Sequence, residues 1–369
     1  MAVTIGVPAE TTPGEQRVVL VPESAAKLIK SGAAVVVQRG AGLAAGFTDD
    51  AYVKAGATIA DSAAATCAAA DVVLHVRRPS ADEVALIRPG ALLIALLQPS
   101  ASADLFSALA ARRVSALALE KVPRITRAQS MAVLSSQSTA AGYKAVLIGA
   151  SSLGKFLPML TTAAGSIRPA QVFIIGAGVA GLQAIATARR LGGVVSAFDV
   201  RAAAREQVQS LGASFVASDL VSAAAEDKGG YAKAQADDER QRTLDAIGKH
   251  IVSQDLVITT ALIPGKPAPK LITEAMVKGM RPGAVIVDLA AEAGGNCELT
   301  KPGETVTVHG VLIIGAMNLA ATVPLHASEM ISRNVLTLLQ HLIKENALKL
   351  DPAEEITKAM LVTHDGAVL

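Results

Sequence analysis

The stretch from Gln171 to Asp199, QVFIIGAGVAGLQAIATARRLGGVVSAFD, constrains the fold more than any other segment of the chain. An apolar, β-branched run, Val172 to Ile175, leads into Gly176, Gly178 and Gly181 in the spacing G-x-G-x-x-G. That is the turn by which a strand delivers a dinucleotide to the start of a helix. Gly176 permits the tight turn, Gly178 has no Cβ to keep a pyrophosphate away, and Gly181 lets the helix pack close to the sheet. The predicted helix, Leu182 to Leu191, offers its positive end and unpaired N–H groups to phosphates. A second strand, Val194 to Phe198, ends on Asp199, eighteen residues after Gly181. This is close to the spacing at which a carboxylate bonds the adenosine ribose hydroxyls and repels a 2′-phosphate. NAD is therefore favoured over NADP, although Arg201, two residues on, offers a cation that could pair with a 2′-phosphate instead.

The interior must be built from small and aliphatic side chains, because 51% of the 369 residues are hydrophobic while only 2% are aromatic and Trp is absent. Such a composition suits parallel sheets covered by helices, and the length suits two α/β domains. A net charge of +2 gives no basic face, and so few aromatics give no stacking platform, which excludes a nucleic-acid reading. No apolar run reaches the roughly 18 to 20 residues that span a bilayer. The start, MAVTIGVPAETTPGEQR, lacks a signal-peptide pattern, so a cytoplasmic location is expected. Cys67 and Cys297 carry no metal-ligand spacing and read as buried thiols, and no metal site is expected.

In the N-terminal third of the chain, strands are predicted at Thr4 to Val7, Ala34 to Val37, Asp71 to Val76, Leu92 to Leu97 and Ser115 to Leu119. Helices are predicted at Glu23 to Lys30, Ala81 to Ile87 and Ala103 to Arg112. This alternation implies a parallel βαβ sheet. Lys121 to Ser138 is polar and hydroxyl-rich, and reads either as the crossing between domains or as a solvated linker before a helix through Gly142 and Leu147. The second domain then supplies strands at Val172 to Ile175, Val194 to Phe198, Ala213 to Val216, Leu256 to Thr260, Val285 to Asp288 and Leu312 to Ile314, the doubly wound count of six. Glu226 to His250 is far longer than an ordinary connection and reads as a mobile loop, with Gly229 and Gly230 as hinges and Tyr231 as an aromatic contact. An amphipathic helix over His326 to Glu345 and a last strand over Ile356 to Thr363 return to the first domain. The fold class is thus α/β, with two Rossmann-like domains: residues 1–135 with 322–369, of flavodoxin or Rossmann type, and residues 136–321, which bind NAD.

A dehydrogenase acting on an alcohol or amino acid must move a proton as well as a hydride, which calls for a His, Lys or acid beside the reacting carbon. None of the six histidines follows a strand of the second domain at its ligand end. The segments GVPAE…GEQRV, PRITRAQSMAVLSSQS, GAGVAGLQAIATARRLG, FDVR, GGYAK, TTALIPGKPAP and VDLAAEAGGN together resemble the NAD(H)-binding component, domain I, of proton-translocating transhydrogenase, over nearly the whole length. Alanine dehydrogenase shares several of these motifs. It has a catalytic Lys in a K-V-K-E-P strand and a catalytic His after the next strand, where this chain has HVRRP, with Arg77, and LLQP, with Gln98. Arg77 does not deprotonate at working pH and Gln98 cannot relay a proton.

The resemblance implies hydride transfer from NAD(H) held here to NADP(H) on a partner subunit, with a membrane-spanning subunit moving protons. It implies a homodimer on the cytoplasmic face of the membrane. It also implies that Arg124, Arg127, Gln129, Ser130 and Ser135 serve the nicotinamide end, with Gln129 and Arg127 nearest the chemistry. Val179 and Ala180 would contact NAD(H) beside the glycine turn, Asp199, Val200 and Arg201 the adenosine end, and Gly230, Tyr231 and Leu262 would complete the site. The family usually has Asp where this chain has Ala132. Two other readings are an amino-acid oxidoreductase of the alanine dehydrogenase type and a non-catalytic NAD-binding module.

Overall fold

The computed structural model describes residues 2–217, 220, 237–263 and 266–369. The chain divides into two compact units, Met1–Gln137 with Ala320–Leu369, and Ser138–Leu319. In the first unit, β1 (Thr4–Val7), β2 (Ala34–Gln38), β3 (Thr58–Ala60), β4 (Val72–Leu74), β5 (Leu92–Ala95) and β6 (Ser115–Ala118) lie parallel in the order β6-β5-β4-β1-β2-β3. The crossovers carry α1 (Pro22–Lys30), α2 (Asp49–Lys54), α3 (Ala63–Ala68), α4 (Ala81–Leu86) and α5 (Ala103–Ala111). Alternate residues of each strand feed opposite faces: Val72 and Leu74 join one apolar cluster and Val73 the other. Both faces are covered, which is why these strands read as continuous apolar runs.

Helix α6 (Val133–Ser152) runs from the first unit into the second, where β7 (Leu160–Thr162) and β8 (Gly165–Ile167) form a separate hairpin. The main sheet there comprises β9 (Gln171–Ile175), β10 (Val194–Phe198), β11 (Ser214–Phe215), β12 (Leu256–Thr259), β13 (Val285–Asp288), β14 (Thr305–Val308) and β15 (Val311–Gly315). Its order is β11-β10-β9-β12-β13-β15-β14. Helices α7 (Val179–Arg190), α8 (Ala202–Ser210), α9 (Asp237–Ile251) and α10 (Glu274–Gly279) cover it. After β9 the chain winds outward through β10 and β11, then returns to β12 on the other side of β9. The carboxyl ends of β9 and β12 are thus the topological switch point at which such sheets bind ligands.

Two expectations need correction here, and a third falls on residues that are not described. The sheet of the second unit has seven strands rather than six, because β14 pairs antiparallel with β15. Residues 237–250 of the interruption read as a loop form, together with Ile251, the helix α9, whose Thr243, Ile247 and Ile251 are buried at helical spacing. Gly229, Gly230 and Tyr231, and with them the GGYAK motif, lie outside the described residues.

The first unit is completed by α11 (Pro324–Leu342), the small hairpin β16 (Ile343–Lys344) and β17 (Ala347–Leu348), α12 (Glu355–Met360), β18 (Leu361–His364) and β19 (Ala367–Val368). The last strand expected over Ile356 to Thr363 is therefore half helix: Glu354 caps α12, accepting hydrogen bonds from the amides of Ile356 and Thr357. β18 then pairs antiparallel with β6, so the otherwise parallel sheet gains an antiparallel edge.

Candidate functional site

The glycine turn stands at the switch point of the second unit. Gly176 has φ +95°, a conformation L side chains rarely adopt. Its carbonyl accepts a hydrogen bond from Thr260 Oγ1 at 2.9 Å, which ties the turn to the segment after β12. A Cβ on Gly181 would stand 1.8 Å from that same carbonyl oxygen, so only glycine lets α7 enter this close to the strand. At Gly178 a Cβ would meet no atom of the described residues within 4 Å. Among the described residues nothing fills the space above Gly178, as an approaching pyrophosphate requires. Gly178 caps α7 without a side-chain hydrogen bond, which leaves the first amides of the helix for an anion.

Asp199 follows β10 and is 6% exposed. Its Oδ2 accepts from the amide of Ala177 at 2.7 Å, inside the glycine turn, so the acid and the phosphate turn are one hydrogen-bonded unit. Arg201 takes up much of the remaining capacity. Its amide and Nε donate to Oδ1 at 2.9 Å each, and its Nη2 to Oδ2 at 2.7 Å. The expected acid is in place, but a guanidinium lies across it. Ribose hydroxyls must share or displace Arg201 to reach this carboxylate. The charge that would repel a 2′-phosphate is meanwhile partly neutralised. Replacing Arg201 with Gln should accordingly raise the ratio of NADPH to NADH dissociation constants about five- to tenfold, roughly 1 kcal/mol. Parallel titrations of both nucleotides check this, and an unchanged ratio would contradict it.

Two exposed apolar side chains flank this region, Val179 at 42% on the first turn of α7 and Leu262 at 46% after β12. Apolar groups beside a phosphate turn suit the flat faces of a dinucleotide. Ala180 and Val200 are neighbours of this region in sequence, and both are half-buried. The loops after β12 and β13, which carry TTALIPGKPAP and VDLAAEAGGN, are pinned by buried polar groups. Asp288, fully buried, accepts from Thr259 Oγ1, Thr300 Oγ1 and the amides of Ala290 and Cys297. Asn296 accepts from the Ala261 amide and donates to the carbonyls of Ala261 and Pro269. With Thr260, these residues fix the loop backbones at the ligand end of the sheet.

The other predicted residues belong to the first unit or to the start of α6. Thr126–Met131 forms a 3-10 turn that buries Ala128 and Met131 and leaves Arg127, Gln129 and Ser130 on its outer side, with Gln129 exposed. Arg127 Nη2 pairs with Glu354 Oε1 at 2.7 Å and Glu355 Oε2 at 3.0 Å. Arg124 precedes this turn, Ala132 closes it, and Ser135 is exposed in the first turn of α6.

No histidine stands ready for proton transfer at the ligand end of the second sheet among the described residues. His75 sits 3.3 Å from Glu10, His250 lies against Ser196 and edge-on to Phe173, and His309 pairs with Glu274. His341 meets Glu354 and His364 meets Ser115. Burial holds the His250 imidazolium below its usual range, and burial pushes the Cys67 thiol up to about 11. Both are structural positions rather than reactive ones.

Residues 6–141 match the model for the N-terminal domain of the alanine dehydrogenase/PNT family, and residues 145–369 match its C-terminal domain. The chain belongs to the alanine dehydrogenase/PNT family. Within it, the chain is 49% identical over 373 residues to an NAD(P) transhydrogenase subunit alpha chain of Rhodospirillum rubrum, covering 99% of this chain and 97% of that protein. Alanine dehydrogenase of Mycobacterium tuberculosis is 31% identical over 377 residues, covering 99% of this chain and 94% of that one. The crystal structure of a transhydrogenase from Sinorhizobium meliloti superposes with a TM-score of 0.90 at 46% identity, over 99% of this chain and all of that one. The α/β class, with two Rossmann-like units, is thus that of the family. Among the described residues no helix is long and apolar enough to cross a membrane.

Proposed function

We propose that this chain is the NAD(H)-binding subunit of a proton-translocating transhydrogenase. Hydride passes between NAD(H) held here and NADP(H) held on a separate partner chain, and a membrane-spanning subunit couples the transfer to proton movement. The observation that carries the reading is an intact dinucleotide turn without the proton-handling residues of the alanine dehydrogenase branch: Arg77 and Gln98 stand in the matching stretches. The relatives named as transhydrogenase subunits, similar over almost their whole length, support the same choice.

NAD(H) supplies the hydride at its nicotinamide ring, and the pair NADH plus NADP⁺ becomes NAD⁺ plus NADPH with no proton taken up or released. This chain has only to bind and orient. The turn from Gly176 to Gly181 and the start of α7 hold the pyrophosphate, and Asp199, sharing Arg201, holds the adenosine ribose. Val179, Ala180, Val200 and Leu262 line the nucleotide. Arg124, Gln129, Ser130 and Ser135 serve the nicotinamide end, and Arg127, drawn back onto Glu354 and Glu355, serves it by holding the turn rather than by direct contact. Positioning two rings at reacting distance can account for about 7 to 11 kcal/mol of barrier, so amides and hydroxyls suffice.

The subunit acts as a homodimer at the cytoplasmic face of the membrane, where its partners anchor it. Exposed Phe156, Met159 and Ile167 support self-association, since they are large apolar side chains on or beside a hairpin that pairs with neither main sheet. The test is partner dependence. The purified chain should bind NADH, turn over neither alanine with NAD⁺ nor pyruvate with ammonia, and reduce NADP⁺ from NADH only when an NADP(H)-binding subunit is added. Alanine oxidation by the chain alone at an ordinary enzymatic rate would favour the amino-acid oxidoreductase. NADH binding with no transfer in the complete assembly would favour the non-catalytic module.

A further inference from the structure

A six-residue 3-10 turn is longer than such helices usually run, because their hydrogen-bond geometry is poor, so Thr126–Met131 must owe its shape to what holds it from outside. Four anchors do so, all within the first unit. Ala128, fully buried, and Met131, at 4% exposure, plug into the apolar core. The carbonyl of Ser130 accepts from Asn334 Nδ2 on α11 at 2.7 Å. Arg127 pairs with Glu354 and Glu355 at the start of α12. Gln129 lies between the clamped Arg127 and the clamped Ser130, and it is exposed.

A lone exposed ion pair would fix little, since ordering two long side chains offsets its attraction. Glu354 differs because it is already ordered. It caps α12 through the amides of Ile356 and Thr357 and meets His341 Nε2 at 3.2 Å. Burial opposes its ionisation, but the Thr357 amide, His341 and Arg127 outweigh burial and hold the carboxyl down to about 2. It remains charged across the physiological range, and only Arg127 has to be immobilised.

Resting on the transhydrogenase reading, we infer that Asn334, Glu354 and Glu355 are positioning residues for hydride transfer: they lock the Arg127–Ser130 turn so that the Gln129 amide is presented in one place. Arg127 is then the handle by which α12 grips the turn. The C-terminal segment thereby contributes to the transfer step as well as to the sheet of the first unit. Displacement of a positioning group by about 1 Å can slow a reaction on the order of a hundredfold.

The experiment uses the full chain assembled with its NADP(H)-binding partner, and reads single-turnover hydride transfer, NADH affinity and melting temperature. Glu354→Gln with Glu355→Gln should keep the helix cap but loosen Arg127, and slow transfer about ten- to a hundredfold with the NADH dissociation constant within about threefold of wild type. Asn334→Ala should act in the same direction. Arg127→Met, an exposed change that leaves the core alone, should match the double carboxamide variant, add nothing further to it when combined, and be partly rescued as Arg127→Lys. Transfer within twofold of wild type in both the Arg127→Met and the double variant overturns the inference. So does an equal loss of affinity and rate, which would mark the turn as structural. If the wild-type assembly itself transfers no hydride, the transhydrogenase reading falls rather than this refinement of it.

Discussion

Gly181→Ala should reduce NADH affinity by at least a hundredfold, about 3 kcal/mol or more, and lower the melting temperature of the protein. The added Cβ would lie 1.8 Å from the Gly176 carbonyl oxygen, a backbone atom already fixed by Thr260. Either α7 moves away from β9 or the turn opens, and both displace the amides that meet the pyrophosphate. Gly178→Ala is the informative contrast. Its Cβ meets no atom of the described residues within 4 Å, so the melting temperature should stay near wild type while NADH affinity falls about ten- to a hundredfold. Calorimetry and fluorescence titration of the two variants separate fold from ligand contact. Full NADH affinity in Gly178→Ala would show that the pyrophosphate does not cross this turn.

Asp199→Asn should weaken NADH about ten- to a hundredfold and destabilise the second unit by about 1.5 to 3 kcal/mol, in the range for lost hydrogen bonds to a charged group. The carboxylate accepts from the Ala177 amide and three times from Arg201, and the two side chains are only 6% and 16% exposed. An amide presents one acceptor oxygen and turns an NH₂ toward donors, leaving the Arg201 guanidinium partly buried without a counter-charge. The freed arginine should also reduce discrimination against NADPH, opposite in sign to Arg201→Gln. Titration with both nucleotides tests the pair together, and equal selectivity in the two variants would mean that neither residue reads the ribose.

The features of this architecture most legible in the sequence are those in which local pattern and tertiary role coincide. Val194 to Phe198 and Val285 to Asp288 are apolar runs because their strands are covered on both faces, and their observed limits are the expected ones. The glycine turn is legible because each glycine answers a backbone constraint. Where pattern served two masters, the reading slipped. β14 carries a two-residue hairpin signal, His309-Gly310, with φ of +51° and +79°, but TVTV alternates only half-buried residues and so resembles loop. Helix α9 opens on Asp237, Asp238 and Glu239 and ends on Lys249 and His250, the charge order a helix dipole favours, yet its polarity resembles an insertion. The run from Ile356 to Thr363 changes from helix to strand because Glu354 caps its first half and the edge of β6 captures its second.

In the candidate site, residue types were legible and their partners were not. Asp199 could be placed beside the glycine turn by spacing, but Arg201 folding back onto it is a short-range geometry that composition does not encode. Thr260, Asp288 and Asn296 carried one available signal, polar residues at or just after the ends of apolar strands, which marks loops held from within. The grip of Glu354 and Glu355 on Arg127 joins residues more than two hundred positions apart, and nothing local to either segment announces it.

The central claim is that hydrogen passes directly from one nicotinamide to the other without visiting a protein acid or the solvent. NADH carrying deuterium at the transferred position, mixed in ordinary water with NADP⁺, this chain and its NADP(H)-binding partner, tests it in one measurement. The account predicts that essentially every NADPH formed carries the deuterium. NADPH formed at the same rate but carrying hydrogen from water would contradict it.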